Sequence, residues 1–225
     1  MQDPEYVKGA FARIADRYVM TNHVLSLGTD ILWRKKVAKI VKSWAPKELL
    51  DIATGTGDLA LEFQKHLPDC AITGSDFCAE MLAYATSRGV QKTVLADALS
   101  LPFPDASYDV VTVAFGLRNM ANYKDALLEM NRVLKPGGRL LVLDFSLPEN
   151  ILRGPYIFYL DKILPHLAGA LTRQPDAYHY LSGSIQQFPS GKNMTDLIEN
   201  CSFSNAACQR LSCGVASIYT ATKVI

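Results

Sequence analysis

The chain has 225 residues, 49% of them hydrophobic and 20% charged, the balance of a globular protein and not of a disordered one. Lys and Arg number 23 against 22 Asp and Glu, for a net charge of +1. The chain as a whole therefore carries no basic field for nucleic acid, and no nucleic-acid partner is expected. Its 5 cysteines (Cys70, Cys78, Cys201, Cys208 and Cys213) are odd in number and contain no CxxC pair. That pattern argues for reduced thiols in a cytoplasmic setting, against a disulfide framework and against a zinc ribbon.

The N-terminus, MQDPEYVKGAF, is charged and lacks the apolar run of a signal peptide. Up to about residue 45 the pattern predicts a helical cap. Tyr6, Val7, Ala10, Phe11, Ile14, Ala15 and Tyr18 recur at helical spacing, as do Trp33, Val37, Ile40, Val41 and Trp44 in a second helix that Pro46 stops. Arg34, Lys35, Lys36, Lys39 and Lys42 are assigned to the other side of that helix.

From there strands and helices alternate. ELLDIA, AITGSD, TVLAD, YDVVTVAF and GRLLVLDFS read as strands, and LALEFQKHL, AEMLAYATSR and DALLEMNRVL as helices, the last stopped by KPGG. The alternation predicts a Rossmann-like α/β fold, a mostly parallel sheet covered on both faces. A long aromatic segment breaks the rhythm from residue 147 to about 192. Its most apolar run, Tyr156 to Leu171, is interrupted by Asp161, Lys162, Pro165 and His166, too short and too charged to span a bilayer. A final helix, MTDLIENC, precedes AACQRL and VASIYTATK, which predict an antiparallel hairpin at the sheet edge. The expected organisation is a cap over 1–45, an α/β domain over 46–146 and 193–225, and a covering insertion over 147–192 on the substrate side, above the carboxyl ends of the strands.

The first strand runs into a glycine loop, Asp51-Ile52-Ala53-Thr54-Gly55-Thr56-Gly57-Asp58. Glycines allow a tight turn and close approach of a ligand, and amides at the next helix N-terminus point into the same space. Gly55, Gly57 and Ala60 satisfy G-x-G-x-x-G/A, and Asp76 follows where a ribose-binding acid is expected, about 20 residues on. A tight turn that serves only the fold is the alternative. Asp51, just before the loop, would repel a diphosphate but attract an ammonium group. Asp76 suits two ribose hydroxyls. Asp97 suits the exocyclic amine of adenine, with the Ala98 amide beside it. Three acids at successive strand ends favour a cationic adenosine ligand over a nicotinamide dinucleotide, although each acid alone is equally a cap or turn residue.

DIATGTGD, GSDFCAEML, ADALSLPFPDASYDVV and RVLKPGG together resemble the class I S-adenosylmethionine-dependent methyltransferases. AFGLRNM followed by RVLKPGGRLLVLDFS resembles, within that class, the ubiquinone/menaquinone-biosynthesis C-methyltransferases, with Asp144 where glutamate is usual and Ser146 in place. In that family's first signature Tyr18, Asn22, Ser26 and Trp33 match, whereas Val19, Thr21 and Asp30 depart from the usual Asp, Met and His. Tyr178-His179-Tyr180-Leu181 and Gly214-Val215-Ala216 extend the likeness across nearly the whole chain.

The resemblance implies S-adenosyl-L-methionine as cofactor, S-adenosyl-L-homocysteine as its product, and cofactor contacts at Thr56, Asp76, Asp97 and Ala98. Ala114 stands where the family has a contacting serine. The implied reaction methylates a ring carbon of a polyprenylated quinol, with demethylmenaquinol the expected acceptor. The benzoquinol of ubiquinone synthesis, a phenol, a sterol and a phospholipid headgroup are the alternatives, and a nicotinamide dehydrogenase or a non-catalytic adenosine-binding module are the readings from other classes. Ring-carbon attack needs alignment and a stabilised phenolate.

Arg118 and Asn119 are the candidates for the phenolate oxygen, and His179, flanked by Tyr178 and Tyr180, for the base. An Arg118 paired to an acid and a solvated His179 are the plainer readings. Asn22 is a further expected wall of the substrate pocket. The four histidines show no ligand spacing, and no metal is expected. The basic stretch from Trp33 to Trp44 is either the solvated face of a packed helix or a reversible contact with an anionic membrane surface. A homo-oligomer is left open.

Overall fold

The computed structural model describes residues 28–163 and 182–225. The helix expected between Tyr6 and Tyr18, and with it Asn22, lies outside them, as do Tyr178, His179 and Tyr180. The first described element, α1 (Thr29–Ser43), starts after Gly28, with Asp30 in its first turn and Lys42 in its last, charges that oppose the helix dipole. β1 (Glu48–Ile52), α2 (Asp58–His66), β2 (Ala71–Asp76), α3 (Ala79–Ser87), β3 (Thr93–Leu95) and β4 (Tyr108–Ala114) follow. Then come α4 (Tyr123–Val133), β5 (Leu134–Phe145), α5 (Arg153–Phe158), a short helix over 182–187, α6 (Lys192–Glu199), β6 (Phe203–Leu211) and β7 (Ala216–Lys223). Asn122 caps α4 by accepting from the Lys124 and Asp125 amides, a local bond written in the sequence.

The seven strands form one sheet in the order β3-β2-β1-β4-β5-β7-β6. β1 to β5 run parallel, and β7 pairs antiparallel with both β5 and β6. The expected edge hairpin is present, with β7 seated between β5 and the edge strand β6.

KPGG lies inside the span of β5. The register passes from Tyr108 opposite Leu134 to Val110 opposite Arg139, so the intervening residues loop out of the ladder. A Cβ at Gly138 would stand 2.8 Å from the Lys135 carbonyl. The turn thus links two stretches of one strand, whereas the sequence pattern starts the strand only at Gly138.

Both faces of the sheet are packed, which explains why the central strands read as continuous apolar runs. Leu50, Ile52, Val111, Val113, Leu140 and Val142 join α4 and α6 in one core. Their alternating neighbours Leu49, Val110, Leu141 and Leu143 join α1, α2 and α3 in the other. A small third cluster sets Leu160 and Ile185 of the covering segment against Phe145, at the carboxyl end of β5.

Trp33 is interior, as the packed-helix reading of α1 expects, and Arg34, assigned by sequence to the basic side, is interior as well. Trp33 is 6% exposed and packs with Phe115 and Phe145 at centroid distances of 6.1 and 6.2 Å, and its indole N–H donates to Ser212 Oγ at 3.1 Å. Arg34 is buried and paired with Asp30 one turn earlier. An indole with its N–H satisfied is more stable in this core than at an interface. A buried carboxylate on the same helix face fixes the arginine there.

Candidate active site

Strand order reverses between β1 and β4, so the connections leaving these strands diverge and open a crevice at their carboxyl ends. Two non-glycine residues hold left-handed backbone there, Ala53 (φ 51) after β1 and Phe115 (φ 58) after β4, and such strain concentrates at functional sites. The two turns touch: a Cβ at Gly116 would stand 2.5 Å from that of Ala53. The resulting cleft has about 1100 Å³ of empty space including its open mouth. Asp51, Gly55, Thr56, Asp76, Asp97, Ala98, Ala114 and Asn119 of the sequence-derived candidates line it.

Asp51 is buried at the end of β1. One carboxylate oxygen accepts from Thr112 Oγ1 and the other from Thr54 Oγ1, both at 2.7 Å. Burial pushes its pKa up to about 6, and the two hydroxyls and the nearby Arg34 charge hold it from rising further.

Asp76 ends β2 and accepts from the Gly55 amide at 2.8 Å and the Cys78 amide at 3.0 Å. Burial raises its pKa and these amides lower it. The acid therefore pins the glycine loop, and a carboxylate has acceptor sites beyond two amides for a pair of hydroxyls. Asp97 is exposed and accepts from the Leu99 amide at 2.9 Å, so a turn sets its position at the cleft wall.

The two glycines have separate tasks. Gly55 lines the cleft with φ 56, and a Cβ there would meet no protein atom within 4 Å, so its open side is ligand space. Gly57 (φ 83) does not line the cleft: its Cβ would stand 2.5 Å from Val90 Cγ2. It is a packing residue that brings α2 onto the α3 end. Phe77, Met81, Ala96 and Leu99 give the cleft an apolar slot beside Asp76 and Asp97. This donor and acceptor set fits adenosine bearing a charged amino-acid tail.

Arg118 does not stand open at the acceptor entrance. It is 5% exposed, and its NH1 donates to Asp144 Oδ1 at 2.7 Å and to the Phe115 carbonyl at 2.6 Å. Asp144 is fully buried, also accepts from the Phe145 amide at 2.8 Å, and requires a countercharge. The Arg118 side chain turns inward to supply it, over the face of Phe145. Asn119 faces the cleft, with Nδ2 3.4 Å from the Phe115 carbonyl. These bonds tie the turn that carries Asn119 to the end of β5.

Sequence reasoning missed Thr112, Phe115, Met120 and above all Arg34, which line or brace the site. For Arg34 a signal existed, the acid four residues earlier on the same helix.

A doubly wound sheet with a glycine loop at its switch point and acids at three successive strand ends is the form of a class I S-adenosylmethionine-dependent methyltransferase, and the family match over residues 1–223 shows that the chain is a methyltransferase. A Thermotoga maritima S-adenosylmethionine-dependent methyltransferase of known structure shares this fold at a TM-score of 0.59, covering 92% of this chain and 99% of its own at 20% identity. More specifically, the family model described as the ubiE/COQ5 methyltransferase family matches residues 1–223, and the chain belongs to that family. It is 43% identical to a Thermus thermophilus protein named demethylmenaquinone methyltransferase, over 93% of this chain and 97% of that one. It is 41% identical to a Bdellovibrio bacteriovorus protein named ubiquinone/menaquinone biosynthesis C-methyltransferase UbiE, over 98% and 97%.

Proposed function

We propose that the enzyme methylates a ring carbon of a polyprenylated quinol precursor, with demethylmenaquinol as the acceptor. The observation that carries this reading is the full-length similarity to relatives named for that reaction. The wall beyond β4 agrees with it: Phe115, Met120 and Ala121 are apolar, and Asn119 is the polar group among them, a surface for a flat ring with one oxygen to orient.

S-adenosylmethionine, when bound, supplies an electrophilic methyl group on a sulfonium. Asp51 holds the ammonium of its amino-acid end, Asp76 the ribose hydroxyls, and Asp97 with the Ala98 amide the adenine edge. Asn119 orients the acceptor oxygen next to the attacking carbon, and the Arg118–Asp144 pair fixes the turn that carries it. His179, flanked by Tyr178 and Tyr180, is assigned the removal of the ring proton, and Asn22 a wall of the pocket; all four lie outside the described residues. The enzyme's main contribution is alignment of the acceptor carbon with the methyl group.

The test is incubation with methyl-labelled cofactor and a lipid extract from cells lacking methylated quinone. Label in a ring methyl of menaquinol is expected. Label in a phospholipid headgroup, a sterol or a benzoquinol overturns the assignment.

Among the described residues no helix is long and apolar enough to cross a membrane. The tailed substrate requires contact with a bilayer, and α1 offers the surface for it. Lys35, Lys39 and Lys42 are exposed, as are Ile31 at 40% and Leu32 at 64%. Each lysine near an anionic bilayer is worth about 1 kcal/mol, and salt screens the attraction. Flotation with anionic vesicles at low salt, lost in Lys35→Glu/Lys39→Glu, is the expected result; equal flotation on neutral vesicles refutes it.

A further inference from the structure

Among the described residues the cleft is lined by Asp51, Asp58, Asp76 and Asp97, and by one cation, Arg34. That imbalance suits a ligand of net positive charge, but it poses a problem for any carboxylate the ligand carries. An anion placed among four acids is repelled, and burial strengthens the repulsion. Arg34 is the group in the lining that reverses the sign.

Three contacts fix where Arg34 points. Its NH1 is hydrogen-bonded to Asp30, which is itself 2% exposed. Its NH2 stands 3.7 Å from Asp58 Oδ2, an ion-pair distance longer than a hydrogen bond. Its Cζ lies 5.5 Å from the Phe115 ring centroid, and Phe115 is itself a cleft residue. Asp58 is anchored in turn by Arg88, whose NH1 reaches Asp58 Oδ1 at 2.6 Å and the Thr56 carbonyl at 2.7 Å. The side chain of Arg34 is only 10% exposed. A guanidinium has five N–H donors in a fixed fork, more than contacts to Asp30 and Asp58 consume. A carboxylate is the partner that the planar fork matches with two bonds.

We infer that Arg34 binds the carboxylate of the cofactor's amino-acid end, with Asp30 and Asp58 as positioning residues that aim its guanidinium into the cleft. The inference rests on the methyltransferase reading of this cleft. It assigns the two charges of the amino-acid tail to separate residues, the ammonium to Asp51 and the carboxylate to Arg34. Asp51 and Arg34 line the same cleft, so a tail that carries both charges meets a partner for each. Arg34 sits on α1 and the glycine loop on the β1–α2 connection, so the cap helix is part of the cofactor site as well as a cover.

The test compares two ligands by calorimetry on the full chain: S-adenosylmethionine and its decarboxylated form, which keeps the sulfonium, the ammonium and the adenosine. The parent enzyme is expected to bind the decarboxylated ligand about tenfold or more weakly, the scale of a lost charged hydrogen bond. Arg34→Met should weaken S-adenosylmethionine by a similar factor and leave the decarboxylated ligand unchanged, so the two losses do not add. Arg34→Lys should restore part of the affinity.

Because Arg34→Met strands a buried Asp30, Asp30→Asn/Arg34→Met is measured in parallel and must show the same ligand discrimination. Equal weakening of both ligands would make Arg34 a purely structural residue and overturn the inference alone. A parent enzyme that binds neither ligand overturns it together with the reading of the cleft.

Discussion

Replacing Arg118 by methionine isolates the energetics of the pair that frames the acceptor side. Asp144 is fully buried and Arg118 is 5% exposed, joined at 2.7 Å. Removing the cation leaves an uncompensated carboxylate in the core, which costs about 3–5 kcal/mol, a large share of the roughly 5–15 kcal/mol that holds a domain folded. The melting temperature should fall by about 6–20 °C for a chain of this size.

Burial already pushes the Asp144 carboxyl upward and the Arg118 charge pulls it back. Without that charge Asp144 takes up a proton in the native state that the unfolded chain releases. Stability of Arg118→Met must therefore decline as pH rises above the ordinary carboxylate range, because the native state binds more protons than the unfolded one. Adding Asp144→Leu removes the stranded charge and should recover most of the loss together with its pH dependence. Denaturant titration of the parent, single and double variants across pH 5–8 measures all of this. A single variant that loses less than about 1 kcal/mol, the scale of an exposed pair, would refute the reasoning.

Asp76→Ala removes the acceptor for the ribose and unpins the Gly55 amide, so cofactor affinity should fall by about 2 kcal/mol or more in calorimetry; unchanged affinity would confine Asp76 to bracing the loop. The two loop glycines should separate. Both alanine substitutions carry the left-handed penalty of about 1–2 kcal/mol; Gly57→Ala also meets Val90 at 2.5 Å and should cost about 1–3 kcal/mol more of stability, whereas Gly55→Ala should add no clash but weaken cofactor binding. Asp51, with a pKa near 6, must be ionised to attract the ammonium, so affinity for S-adenosylmethionine should fall as pH drops through 6, and Asp51→Asn should bind weakly with that dependence gone.

The alternation of apolar runs with helical patterns was enough to specify a doubly wound sheet, and the TGTGD loop with acids at the strand ends favoured a cationic adenosine ligand. Each of these is local: a strand shows its burial in its own residues, and a loop shows its turn in its own glycines. The edge hairpin was legible for the same reason, since too few residues separate AACQRL from VASIYTATK for a crossover helix. Tertiary structure decided whatever depended on partners far apart in the chain. Arg118 and Asp144 are separated by 26 positions, and only the pairing of β4 with β5 shows that the arginine is paired with a buried acid. Trp33 finds its hydrogen-bond partner 179 positions away at Ser212, a contact that its helical spacing alone does not show. Arg34 reads as one more cation on a basic helix until α1 is laid against the glycine loop. A side chain's charge and size are fixed by sequence, but whether that charge meets solvent, a counterion or a ligand is set by which elements the fold places around it.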